Sequence, residues 1–266
     1  MSGHVYFVGA GPGAPDLITV RGRAILERAD VVIYADSLVD PRLCAYAGPD
    51  AEILASSSLT LEEICERMIG AARERKLVAR LHSGDPSVYG AIHEQIARLD
   101  EARVDWSIVP GVSSAFAAAA ALGVELTVPE VSQTIIFSRI SGRASPVPER
   151  EDLRGLAAHR ASLVLFLSIV QTKRVVDELL AGGYPPETPV AVVHRVSWPD
   201  EAVLRGTLSD IAGKVREARW NKQALILVGA VLGDETRGNG HRSRLYSADY
   251  THLFRRARAN EETTTS

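Results

Sequence analysis

Gly9-Ala10-Gly11-Pro12-Gly13-Ala14 follows the apolar run Val5-Tyr6-Phe7-Val8, and the reading of this turn decides the fold. With Ala14 in the last place it matches the degenerate glycine fingerprint of dinucleotide-binding folds, and Asp36 ends the next apolar run where a ribose-binding acid would stand. The prolines oppose that reading. Pro12 has no amide to offer a pyrophosphate, and Pro15 cannot sit within a helix begun at Gly11, so the turn pushes the helix start to around Asp16. A purely structural turn, with glycine wherever φ is positive, is the plainer account.

Outward from the turn, Val31-Val32-Ile33-Tyr34 and Leu77-Val78-Ala79-Arg80-Leu81 read as strands buried on both faces. Residues 17–29 and 61–75 fit amphipathic helices, the second opened by Thr60 with Glu63 three positions on, a capping-box spacing. Trp106-Ser107-Ile108-Val109 is stopped by Pro110-Gly111, and the alanine-rich run 113–122 packs close to a neighbour because its side chains are small. The pattern then restarts, with strands at 133–140, 162–167, 190–194, 203–207 and 224–231 and helices at 151–159, 172–181 and 209–219. The expectation is an α/β chain of two domains, 1–123 and 124–236, with a polar tail at 237–266 that is peripheral or partly disordered. The short link through Ser197-Trp198-Pro199-Asp200 leaves no room for a crossover helix, so part of the second sheet is expected to be antiparallel.

Composition narrows the function classes. Apolar residues make up 46% and charged residues 24%, which permits a packed core, and a net charge of −3 gives no cationic field for nucleic acid. Cys44 and Cys65 read as two reduced thiols, no stretch is long and apolar enough for a membrane helix, and the start lacks a signal-peptide pattern, so a cytoplasmic protein is expected. His4, His82, His93, His159, His194, His241 and His252 show no metal-ligand spacing, so no protein-bound metal is expected. There is no G-x-S-x-G elbow and no Walker lysine motif.

The chemistry is expected where ligands of open α/β sheets lie, beyond the carboxyl ends of the strands. There the glycine turn, Asp36, Pro110-Gly111 and the loop His82-Ser83-Gly84-Asp85-Pro86-Ser87-Val88-Tyr89-Gly90 would converge. Gly84 lets backbone approach a ligand, and Asp85, held extended before Pro86, offers its carboxylate to a hydroxyl or ammonium group; a turn cap is the plainer role. Ser113 and Ser114 serve as helix caps or as ligand contacts. Asp36 is a candidate proton acceptor, against an Asx turn around Ser37.

Three segments together resemble the tetrapyrrole (corrin/porphyrin) methylase family: Val8 to Thr19, Gly84-Asp85-Pro86, and Val109 to Ser114. The resemblance runs from about Val5 to Val231. It implies a parallel-sheet N-terminal domain and a mixed-sheet C-terminal domain, with S-adenosylmethionine in the cleft between them and S-adenosylhomocysteine as product. Carried over by motif, the cofactor contacts are Pro12, Ser83, Gly84, Asp85, Val88, Ser113, Ser114, Leu167, Ser168, Arg195, Val196 and Ala224, with Asp85 toward the methionine amino group and Leu167 and Val88 beside adenine and ribose.

Within the family, Tyr34-Ala35-Asp36-Ser37-Leu38-Val39, Gln133-Thr134-Ile135-Ile136 and Ser197-Trp198-Pro199-Asp200-Glu201 are similar to the branch acting on precorrin-4. That implies methyl transfer to C-11 of precorrin-4 or cobalt-precorrin-4 in cobalamin biosynthesis, by a homodimer with neither nucleic-acid nor membrane partners. Arg139, Arg143, Lys173 and Arg195 are candidates for holding the substrate's carboxylates, each against a solvated-surface role. The alternatives are a methylase of another precorrin or uroporphyrinogen carbon, a member acting on ribosomal RNA or a modified histidine, a ligand-binding regulator, and a nicotinamide-dependent oxidoreductase.

Overall fold

Short β-branched runs that are apolar on both faces demand cover on both faces, and the first half of the chain supplies it. In the computed structural model, which describes residues 3–142, 146–236, 250–251 and 253–256, five strands form one sheet. These are β1 (His4–Gly9), β2 (Val31–Tyr34), β3 (Glu52–Ala55), β4 (Leu77–His82) and β5 (Asp105–Val109), in the order β3-β2-β4-β1-β5. All four strand pairings are parallel, so every carboxyl end points to the same edge.

The connecting helices are α1 (Val20–Leu26), α2 (Leu61–Arg73), α3 (Ile92–Glu101) and α4 (Ser114–Leu122). On one face of the sheet Phe7, Ile33 and Val78 pack with Ile64 and Met68 of α2 and Leu99 of α3. Val8, Val32, Leu81 and Val109 line the other face with Ile25 and Leu26 of α1. Each large side chain buried in this way contributes about 1.5–3 kcal/mol. Thr60 and Glu63 make the reciprocal capping box that opens α2.

Two local readings are corrected. The helix expected over 17–29 is instead a single 3-10 turn at Pro15–Leu17 followed by α1, because the Thr19 side chain accepts the Gly22 amide at 3.1 Å and sets a new start there. No strand was expected between 34 and 61, yet β3 lies in register with β2 at the sheet edge, its residues mostly exposed.

The second sheet contains β6 (Ile135–Arg139), β7 (Ser162–Phe166), β8 (Pro189–His194), β9 (Ala202–Thr207) and β10 (Ala224–Val228), ordered β6-β7-β10-β8-β9. β6 and β7 are parallel and β10 runs antiparallel to β7, so the sheet is mixed, part of it antiparallel as expected. Its helices are α5 (Leu153–Ala157), α6 (Thr172–Ala181) and α7 (Ile211–Ala218). α5 is shorter than the expected 151–159 because Asp152 caps it by accepting the Gly155 amide at 2.7 Å.

The chain falls into two units. One comprises Met1–Gly123 with Val193–Val203 and Trp220–Leu225; the other comprises Val124–Val192, Leu204–Arg219 and onward from Ile226. The expectation for the 237–266 tail falls almost wholly outside the described residues.

Candidate active site

Parallel strands bring their carboxyl ends to one edge, and three of the loops leaving that edge meet through bare backbone. Gly11 and Gly84 exchange hydrogen bonds, Gly84 N–H to Gly11 carbonyl at 2.8 Å and the reverse at 3.3 Å, and both take positive φ, +78° and +64°. Gly9 and Gly111 are pressed together at the same crossing. A Cβ on Gly111 would stand 2.1 Å from the Gly84 carbonyl oxygen, and one on Gly9 would stand 2.5 Å from the Gly111 backbone. No side chain fits between these strand ends, so a backbone-lined cradle is what the sequence builds there.

The cradle is braced by Asp85. Its Oδ2 accepts the Gly111 amide at 2.8 Å and its Oδ1 accepts the Ser87 amide at 2.8 Å, which joins the 83–90 loop to the end of β5. Burial pushes this carboxyl up, but the bonds from Ser87 and Gly111 outweigh it and hold the group below the usual carboxylate range. Gly84 faces the first turn of α4, where an added Cβ would lie 3.6 Å from both the Ser113 Cα and the Ser114 amide nitrogen. Ser113 is buried and caps α4 by accepting the Ala115 amide. Pro12 is buried with its carbonyl turned to Trp198, and Val88 is half-buried in the loop after Asp85. Pro12, Ser83, Gly84, Asp85, Val88, Ser113 and Ser114 thus gather at one edge of one unit.

Arg195, Val196 and Ala224 group with the same unit. Val196 is buried; Arg195 is committed to the protein, its Nε donating to Asp200 at 2.7 Å and its Nη1 to the Gln223 side chain at 2.7 Å. Leu167, Ser168, Arg139 and Lys173 belong to the other unit. Leu167 is exposed with φ +50°, while Ser168 is fully buried, donating to the Phe166 carbonyl at 2.6 Å and accepting the Ile140 amide at 3.0 Å. Arg139 donates to the Pro146 carbonyl at 3.4 Å, and Lys173 pairs with Asp177 one turn along α6 at 2.9 Å. Arg143 lies outside the described residues.

Asp36 does not form the local turn around Ser37. Its carboxylate accepts the Ser57 amide at 2.8 Å and the Ser57 hydroxyl at 2.6 Å, tying the end of β2 to the end of β3. The Ser57 hydroxyl foremost, then its amide, holds the Asp36 carboxyl below its ordinary range.

Behind Asp36 lies a polar knot that the sequence reading missed. Arg80 of β4 is buried and donates to Ser56 Oγ at 2.9 Å, to the Ile33 carbonyl at 3.4 Å and to Gln95 Oε1 at 3.3 Å; burial pulls its guanidinium down to about 10. Two residues on, His82 is buried with Nε2 unpartnered, and burial followed by the charge of Arg80 pushes it down to about 3, so it is neutral in the folded protein. Arginine within an otherwise apolar strand, two residues before histidine, was the available signal.

The dinucleotide alternative fails on geometry. That fold places β1 beside β2 and begins a helix within the glycine turn. Here β4 separates β1 from β2, and α1 begins at Val20.

Comparison with known proteins accords with this geometry. The family model for Tetrapyrrole (Corrin/Porphyrin) Methylases matches residues 4–212. The cobalt-precorrin-4 C(11)-methyltransferase of Methanocaldococcus jannaschii is 51% identical over 253 residues, 95% of this chain and 96% of that protein. An X-ray structure described as a cobalamin biosynthetic enzyme, cobalt precorrin-4 methyltransferase, has TM-score 0.84 and 49% identity, covering 86% of this chain and 96% of that one. A uroporphyrin-III C-methyl transferase from Thermus thermophilus, solved with S-adenosyl homocysteine, has TM-score 0.71 and 30% identity, covering 86% of this chain and 98% of that one. On the full span of the match and on this fold, the chain belongs to the tetrapyrrole (corrin/porphyrin) methylase family.

Proposed function

We propose that this protein transfers a methyl group from S-adenosylmethionine to C-11 of precorrin-4, metal-free or cobalt-loaded, giving precorrin-5 in cobalamin biosynthesis. The observation that carries this reading is the 51% identity with the Methanocaldococcus jannaschii methyltransferase over 95% of the chain. Residues 1–123 and 124–236 are its two α/β domains, and 237–266 its tail.

The cradle fits such a cofactor, because its edges are amides and carbonyls and an added Cβ at Gly9, Gly11 or Gly111 would collide with backbone. Pro12, Ser83, Gly84, Asp85, Val88, Ser113 and Ser114, with Arg195, Val196 and Ala224, are its proposed holders, and Leu167 and Ser168 are proposed as further contacts. Bound there, S-adenosylmethionine supplies a sulfonium methyl open to in-line displacement by an electron-rich ring carbon. The chain therefore needs no nucleophile of its own. Its residues align two partners and exclude water, which converts a bimolecular encounter into an effectively intramolecular one. Asp36 is the proposed acceptor of the proton that leaves the ring; the Ser57 bonds that lower its basicity weaken it as a base and favour its second role, steadying positive charge on the ring. Arg139, Arg143 and Lys173 are the proposed partners of the substrate's carboxylates.

The working form is a homodimer in the cytoplasm. The alanines do not supply the dimer contact, since Ala115, Ala117, Ala118 and Ala119 are buried, whereas Phe116 on the same helix is exposed. Light scattering at micromolar concentration is expected to give twice 28.7 kDa, and a monomer mass overturns that part.

The activity is tested by mass spectrometry and NMR of the product made from methyl-labelled S-adenosylmethionine with metal-free or cobalt-loaded precorrin-4. One labelled methyl at C-11 is expected. No incorporation with either substrate, or incorporation at another carbon, overturns the assignment.

A further inference from the structure

Residues 195–201 reach the first unit's glycine turn through a tryptophan. Trp198 Nε1–H donates to the Pro12 carbonyl at 3.2 Å, and its ring occupies the space beside Gly13, where an added Cβ would lie 2.3 Å from the indole. One residue earlier, Ser197 Oγ accepts the Ala14 amide at 2.9 Å. The Arg195 guanidinium stacks 4.1 Å above the Trp198 ring and is held by Asp200. It also reaches Gln223, whose Nε2 donates to the Ser37 carbonyl at 2.9 Å, one residue beyond Asp36. The clasp therefore has two arms, one on the turn after β1 and one on the loop after β2.

Arg195, Ser197 and Gln223 all adopt left-handed backbone conformations, at φ +48°, +63° and +51°. Such conformations persist in non-glycine residues only where surrounding contacts impose them. The Arg195 amide bonds the Gln223 carbonyl at 2.8 Å across the two segments, and Ser197 N–H bonds Glu201 at 2.6 Å within one of them, and these bonds impose the conformations.

We propose that Trp198 and Gln223 are positioning residues serving different ligands: Trp198 sets the Pro12-Gly13 turn for the cofactor, and Gln223 sets the Ser37 loop, with Asp36, for the methyl acceptor. The proposal rests on the functional reading above. Neither residue touches the reacting atoms. Each acts through a backbone carbonyl of a loop at the site.

The test uses Trp198→Phe, which keeps an aromatic ring for the arginine stack but loses the N–H, and Gln223→Glu, which keeps length and the oxygen that accepts from Arg195 but loses the N–H that donates to Ser37. S-adenosylhomocysteine affinity is measured by calorimetry and the acceptor KM by turnover, each beside the melting temperature. Trp198→Phe is expected to weaken S-adenosylhomocysteine by about three- to tenfold, the range of one hydrogen bond, with the acceptor KM unchanged. Gln223→Glu is expected to raise the acceptor KM by about the same factor with S-adenosylhomocysteine affinity unchanged. Equal weakening of both ligands, or no change in either, overturns the division of labour, since a merely structural role lowers melting temperature without splitting the two constants. A wild-type protein that does not bind S-adenosylhomocysteine overturns the functional reading and this inference with it.

Discussion

The crossing at the ends of β1, β4 and β5 and the knot at the ends of β2, β3 and β4 occupy the same sheet edge and are built from opposite materials. At the crossing, Gly9, Gly11, Gly84 and Gly111 bring backbone against backbone with no side chain between. At the knot, Ser56, Arg80 and Gln95 bond side chain to side chain in buried space, and Asp36 pairs with Ser57 at its exposed rim. The first is rigid because steric exclusion leaves one arrangement. The second is specific because its inner members, Ser56, Arg80 and Gln95, are buried and must keep their partners. A site that presents bare backbone to one ligand and an ordered carboxylate to another needs both.

The sharpest test places one substitution at two glycines. Gly111→Ala puts a Cβ 2.1 Å from a carbonyl oxygen that cannot move without breaking the Gly11–Gly84 pairing, so a loss of more than about 3 kcal/mol is expected. Gly84→Ala has 3.6 Å of room and only positive φ to overcome, so about 1 kcal/mol is expected. Denaturant unfolding checks both, and equal costs would break the steric account of the crossing.

Next in size is Asp36→Asn, which keeps the shape, an oxygen for the Ser57 amide and an N–H that can donate to the Ser57 hydroxyl, but loses charge and basicity. Turnover is expected to fall about 100-fold, with melting temperature and S-adenosylhomocysteine affinity near those of the parent. Full activity removes Asp36 from the chemistry. Parallel loss of stability and cofactor affinity would make it a strand clamp only.

The last effect is spread over a wide pH range and concerns His82. Its folded pKa, about 3, lies below the ordinary value near 6.5, so below pH 6.5 the unfolded chain takes up a proton that the folded one refuses. Stability from this group is full above pH 6.5 and falls by at most about 1.4 kcal/mol per pH unit down to about pH 3. Asp36 and Asp85 add loss only at more acid pH, because both carboxyls are held below their ordinary range. His82→Gln is expected to flatten the melting-temperature profile between pH 6 and 4, and an unchanged slope there would show that His82 is not what the knot protects from acid.

What the sequence determined by itself was local and periodic. Apolar runs at β1, β2 and β4 need burial on both faces, Thr60 and Glu63 cap a helix at their spacing, and Pro12 and Pro15 exclude a helix from the turn. Each of these follows from backbone geometry within a few residues, as did the glycine motifs that mark the cradle. Tertiary structure decided the rest. Glu52-Ile53-Leu54-Ala55 is a strand only because β2 offers it an edge, for its exposed pattern carries no alternation. Asp36 finds Ser57 rather than its own turn because parallel pairing brings two strand ends side by side, and Arg195 spends its donors on Asp200 and Gln223 because segments distant in sequence meet there. Partners 21 and 28 residues apart leave no periodic trace, since their hydrogen bonds form only once the assembled fold brings the strand ends and loops side by side.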